Sequence, residues 1–165
     1  MFNSWHVIAN GFSNSGKTKE SISKIESLLN KSSIKYIINF TKKAGDEIEM
    51  VETATKKGYH KIIGIGGDGT AQKIVAGIMM QKNIPNNEVL FALIPSGTGN
   101  DWAKSKGIPL DYSDSIKVIK ANEEKFQDVG VAKIINGKNL KTKYFITYSG
   151  VGFDSFMLKK IEYYK

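Results

Sequence analysis

The chain has 165 residues, 41% hydrophobic and 24% charged, enough apolar content for one cored domain. It contains no cysteine, which excludes thiolate catalysis, cysteine-ligated zinc and iron–sulfur clusters, and its only histidines, His6 and His60, argue against a multi-histidine metal site. All 24 basic residues are lysine, against 16 acids, so the net charge of +8 is a diffuse field without the guanidinium fork that reads guanine or clamps a phosphate.

In chain order, residues 5–10 read as a strand. Residues 18–30 carry Ile22, Ile25, Leu28 and Leu29 on one helical face, and 34–40 is strand-like again. Residues 45–57 place Ile48, Val51 and Ala54 at helical spacing, with Gly58 as the stop. A third strand over 61–65 is followed by a helix over 70–81 with Ile74, Val75, Ile78 and Met79, then by an apolar strand over 89–94 that Pro95 ends. Such alternation predicts an α/β fold: a parallel, Rossmann-like sheet with helices on both faces and right-handed crossovers. Ligands of such sheets collect at the carboxyl ends of the strands.

Past Pro95 the pattern changes. A short helix over 113–120 holds Ile116 and Ile119, and strands over 127–135 and 143–148 flank an Asn136-Gly137 turn, which predicts an antiparallel hairpin. Residues 156–165 read as a further helix. The expected division is an α/β domain over 1–125 and, over 126–165, the first antiparallel strands of an incomplete β-rich second domain. The longest apolar run, 89–94, is strand-sized, far short of the roughly 18 to 20 residues of a membrane span. No secretory signal is visible, so the expected place is the cytoplasm.

Three glycine-bearing loops follow three of the predicted strands. Residues 11–18 match G-x-x-x-x-G-K-T between a strand and a helix, where backbone amides around Ser15 and Gly16, a helix N-terminus and the Lys17 ammonium would meet phosphate oxygens. The plain alternative is a turn with an incidental lysine. Gly66-Gly67-Asp68-Gly69-Thr70 is nearly free of side chains, so a phosphate can approach the main chain, and its one carboxylate is left to meet a metal, a hydroxyl or a water. Asp68 could instead only cap the next helix. Pro95-Ser96-Gly97-Thr98-Gly99-Asn100-Asp101 is the third. Together the loops predict a site rich in N–H donors and suited to a polyphosphate with Mg2+.

GGDGT at 66–70 with PSGTGND at 95–101 resembles the catalytic domain shared by bacterial diacylglycerol kinase-like lipid kinases and by sphingosine and ceramide kinases. The likeness extends through residues 10–17, similar to the family's N-P-x-S-G-K start, through Thr-Lys-Lys-Ala-Gly-Asp-Glu at 41–47, Asp128-Val129-Gly130 and 150–154, and so covers essentially the whole chain. The resemblance implies a nucleotide-binding α/β domain that transfers the γ-phosphoryl group of ATP to a lipid hydroxyl, diacylglycerol-like, with Mg2+. Its lipid substrate would lie at an anionic membrane surface, with peripheral contact at the inner membrane face. Asn10 and Thr41 would touch the nucleotide, and Ser15, Gly16 and Lys17 would sit at its phosphates. Gly66, Gly67, Asp68, Gly69 and Thr70 would cradle the phosphates, with Gln72 beside them. Ser96, Gly97, Thr98 and Asn100 would line the same cleft. Asp68 would be the catalytic carboxylate, as Mg2+ partner or as base, and Asp101 and Asp128 would complete an acidic network around the metal.

Two departures from the family pattern stand out. Gly11 replaces a proline, and Gln72-Lys73 replaces an Asn-Glu pair, so that the acid commonly assigned to the ribose becomes a cation. Family members continue into a β-rich lipid-binding domain, so nucleotide binding with little lipid phosphorylation is expected of this polypeptide alone. Competing readings are a P-loop-type NTPase using 11–18, an NAD kinase-like enzyme, in which GGDG also occurs, and a basic membrane-binding module. No RNP, helix-turn-helix or zinc-finger signature is present, and no nucleic-acid partner is expected.

Overall fold

The computed structural model describes residues 3–11, 17–137 and 139–147. Strands β1 (Trp5–Ala9), β2 (Tyr36–Phe40), β3 (Lys61–Gly66) and β4 (Leu90–Pro95) form one parallel sheet in the order β2-β1-β3-β4. Between and after them run α1 (Lys17–Lys31), α2 (Asp46–Lys56), α3 (Asp68–Met80), α4 (Asp101–Ser105) and α5 (Tyr112–Ala121), with a short 3-10 turn at Asn86–Glu88.

Strands β1 and β3 at the centre of the sheet are apolar almost throughout because both faces are covered there, whereas the edge strand β2 leaves Ile37 and Phe40 exposed. Alternation sorts the side chains. Val7, Ala9, Ile63, Ile65 and Ile94 point to one face, under Ile22, Ile25 and Leu29 of α1 and Ile116 and Ile119 of α5. Ile8 and Ile62 point to the other, against Val51 of α2 and Ile74 and Ile78 of α3. The expected parallel sheet with helices on both faces is therefore what the chain forms. Helix ends follow local chemistry: Asp111 caps α5 by accepting from the Ser113 and Asp114 amides, and α2 stops ahead of Gly58, which sits at φ 86°.

Several element bounds differ from the sequence reading, β2 starting at Tyr36 rather than 34 and β5 at Gly130 rather than 127. Helix α3 begins at Asp68 rather than 70, because the glycines of the loop already enter its first turn. Helix α4 was not anticipated; at five residues it is too short to show a period. The second sheet, β5 (Gly130–Asn136) with β6 (Asn139–Phe145), is the expected antiparallel hairpin, but β6 starts four residues earlier than expected. Asn136 pairs with Asn139, so the reversal falls at Gly137, whose φ is 59°. The stretch read short is Asn139-Leu140-Lys141-Thr142, whose single apolar residue shows no alternation. The helix expected over 156–165 lies outside the described residues, and no described helix is long and apolar enough to cross a membrane.

Candidate nucleotide site

Because the four strands are parallel, their carboxyl ends share one edge, and the loops that leave them meet there. At β1, β2 and β3 the contact is a relay of polar side chains. Thr41, buried past the end of β2, accepts the Gly11 N–H at 3.1 Å and donates to Asn10 Oδ1 at 3.5 Å. Asn10 Nδ2 donates in turn to Thr70 Oγ1 at 3.4 Å, in the first turn of α3. The backbone tightens the same corner, with Asn10 N–H donating to the Ile65 carbonyl at 3.0 Å and Thr41 N–H to the Ala9 carbonyl at 3.0 Å.

The second and third loops touch through glycine. Ser96 N–H donates to the Gly66 carbonyl at 2.9 Å, carrying the β3–β4 pairing one residue past the strand. Beyond it, a Cβ on Gly97 would lie 2.5 Å from the Gly67 Cα, so the two backbones approach this closely only because residue 97 carries no side chain. Asn100 closes the third loop. Its side chain accepts the Gly97 N–H at 3.0 Å and donates to the Gly97 carbonyl at 2.7 Å, while its own φ of 53° turns the chain into α4.

Asp68 occupies the first position of α3 and reaches across to α4, where its Oδ1 accepts the Trp102 N–H at 2.9 Å. It thus caps a helix that starts 33 residues later in the chain than its own. Its Oδ2 lies beside Gly99, 3.1 Å from where a Cβ would stand, and the Asp101 carboxylate faces the same spot at 3.7 Å. These two carboxylates flank the exposed Gly99 at the rim of the loops. Mg2+ is commonly bound through one or two carboxylates plus phosphate oxygens, so this donor set fits it without a third acid.

Other expected site residues are placed differently. Asp128 is exposed in the segment before β5, and no group of three or more metal-ligating side chains forms among the described residues. Gln72 is engaged away from the 66–70 loop: its amide is taken up by the backbone at Tyr144 in β6 and at Ile146 just past it. Lys73 pairs at 3.8 Å with Glu47, a buried carboxylate in the first turn of α2 that also accepts the Gly45 N–H at 3.2 Å. The cation at position 73 is therefore matched by an acid from the preceding helix, a partner that the spacing of 26 residues did not reveal. Thr98 is exposed on the rim and Ser96 half-buried. Ser15 and Gly16 lie outside the described residues, while Lys17 opens α1.

Comparison with known proteins places the chain by family and by fold. The family model for the diacylglycerol kinase catalytic domain matches residues 4–132. The chain is 32% identical over 112 residues to a diacylglycerol kinase of Staphylococcus haemolyticus, covering 68% of this chain and 30% of that one. A diacylglycerol kinase of Staphylococcus epidermidis matches at the same identity and length, with 32% of its chain covered. Among solved structures, a diacylglycerol kinase from Bacillus anthracis superposes with a TM-score of 0.63 at 25% identity, over 80% of this chain and 42% of that one. The chain thus spans about a third of the length of the curated relatives it matches.

Proposed function

The chain belongs to the diacylglycerol kinase catalytic domain family, and from that membership we propose that its loop-bearing edge binds Mg-ATP for transfer of the γ-phosphoryl group to a lipid hydroxyl. The observation that carries this reading is the close approach of Gly67 to Gly97, which joins two glycine-bearing loops beside the Asp68 carboxylate. Phosphoryl transfer needs little covalent chemistry from a protein; it needs phosphates held in place and developing charge neutralised. The 66–70 loop runs into the N-terminus of a 13-residue helix, where backbone N–H groups and the helix dipole favour anionic oxygens.

In this reading the residues divide by task. Gly66, Gly67, Gly69 and Thr70, with Ser96, Gly97 and Thr98, cradle the phosphates. Asn10 and Thr41 face the rest of the nucleotide and brace Thr70, and Asn100 braces the third loop. Ser15, Gly16 and Lys17 approach the phosphates from the first loop. Asp68 and Asp101 hold Mg2+, which supplies charge neutralisation at the phosphates when bound, and Asp128 stands outside that pair. The acceptor is a diacylglycerol-like lipid at an anionic membrane surface, reached from the cytoplasmic side by a protein of net charge +8. Residues 1–125 form the nucleotide-binding unit, and 126–165 begin the β-rich unit that meets the lipid.

Titration calorimetry with Mg-ATP on the folded chain tests this directly. We expect saturable 1:1 binding, weakened about tenfold or more in Asp68→Ala. A folded wild-type chain that binds no Mg-ATP contradicts the reading. Loss of binding in Lys17→Ala with none in Asp68→Ala would move the site to residues 11–18.

A further inference from the structure

Gln72 lies on α3 just past the 66–70 loop, and both ends of its amide are bound to the backbone at the end of β6, one inside the strand and one just past it. Its Nε2 donates to the Tyr144 carbonyl, and its Oε1 accepts the Ile146 N–H at 3.2 Å. A primary amide that meets one strand through donor and acceptor together imitates the pairing of a neighbouring strand, so it sets register as well as distance. Around this clamp Ile146 is buried with Ala71 and Val75 of α3 and with Trp102 and Ala103 of α4. The Trp102 N–H is the one that Asp68 accepts. The two helices on which the second sheet rests are thus the two that Asp68 ties together. Much of the rest of the hairpin is open to solvent, with Ile135 75% and Leu140 61% exposed.

Resting on the nucleotide reading above, we propose that Gln72 is a positioning residue that couples the second sheet to the nucleotide loops, so that bound Mg-ATP and a docked β6 favour one another through α3. A polyphosphate on the 66–70 loop holds the first turn of α3 against the third loop and α4. Docking of β6 requires the same arrangement of α3 and α4, so each event meets part of the ordering cost of the other. Linkage makes the effect reciprocal: the factor by which nucleotide protects β6 is the factor by which a docked β6 tightens nucleotide.

Amide exchange at Ile146, followed by NMR on the whole chain with and without Mg-ATP, reads both halves. In the wild type Mg-ATP slows this exchange about fivefold, a factor within the usual range of coupling between sites. In Gln72→Ala the amide exchanges about tenfold faster without nucleotide, the Mg-ATP effect disappears, and Mg-ATP binding weakens by no more than the lost coupling factor. Gln72→Glu separates the hydrogen bonds from packing, because the carboxylate keeps the size but cannot donate to the Tyr144 carbonyl until it is protonated. Its exchange rate relative to wild type returns toward one as the pH falls toward about 4.3. Unchanged Ile146 exchange in both variants, or a Mg-ATP effect that survives in Gln72→Ala, overturns the proposal. Wild-type binding of Mg-ATP with no response at Ile146 overturns the coupling alone, whereas absence of Mg-ATP binding overturns the nucleotide reading and the coupling with it.

Discussion

Gly97 has no space for a methyl group: its Cβ would lie 2.5 Å from the Gly67 Cα, a backbone atom that cannot rotate away, and 2.9 Å from Asn100 Oδ1. Gly97→Ala is therefore expected to force the second and third loops apart, lowering stability by about 1–3 kcal/mol, the usual cost of overpacking. Mg-ATP affinity should fall with it. Calorimetric melting and Mg-ATP titration of the same sample check both, and a variant that melts and binds as the wild type would show that the loops need not touch. His6 offers a second test at this scale. It is buried beside Tyr59, at a ring separation of 5.3 Å, and burial with the nearby Lys57 charge lowers its pKa to about 4. The folded state thus holds His6 neutral while an unfolded chain protonates it below about 6.5. Its contribution is complete above pH 6.5 and is lost as the pH falls from there toward 4, at up to about 1.4 kcal/mol per pH unit. Urea midpoints measured at pH 7 and pH 5 should separate more in the wild type than in His6→Leu; equal separations would exclude His6 as the source. The glycine motifs and Asp68 were readable from residue types alone. The bond from Asp68 to the Trp102 amide was not, because it joins residues 34 positions apart and only the register of β3 on β4 brings them together.

At the scale of elements, α2 and α3 are tied by the Lys73–Glu47 pair as well as by apolar packing. Glu47 is only 2% exposed, whereas Lys73 is 37% exposed, so the carboxylate carries most of the desolvation and depends on the lysine more than the reverse. Lys73→Met should destabilise the chain by about 1–3 kcal/mol, discounted from a fully buried pair for the exposed lysine, and adding Glu47→Gln should restore a good part of it. Denaturant unfolding of the two single variants and the double variant measures the coupling; strictly additive losses would mean that the pair contributes nothing. From the sequence, Lys73 was visible only as a departure from a family pattern, and its partner was invisible because Glu47 reads as an ordinary first-turn acid of an amphipathic helix. Gln72 shows the same limit: proximity to the phosphate loop in sequence suggested a ligand contact, but a residue two positions past Thr70 on a helix turns toward a different neighbour. Helix α4 escaped for a different reason. Five residues present little more than one turn, and its start is set by Asn100 in the left-handed region and by Asp68 from another loop, not by a periodic face of its own.

Across the whole molecule, alternation of short apolar strands with amphipathic helices was sufficient to indicate a parallel sheet, because crossover connections leave few other arrangements. The order β2-β1-β3-β4 adds what the alternation lacks: β1 and β3 are neighbours, so Asn10 meets Thr70, and β3 and β4 are neighbours, so Gly67 meets Gly97. The function argued above follows from that convergence, with bound phosphate spanning loops from separate crossovers. The most direct measurement is an NMR titration of the labelled chain with Mg-ATP, following the backbone amides of Gly11, Gly67, Gly69 and Gly97. Convergence predicts that signals from all three loops shift along one saturation curve and that Asp68→Ala weakens that curve for every one of them. Shifts confined to residues 11–18, or none at saturating nucleotide, would contradict it.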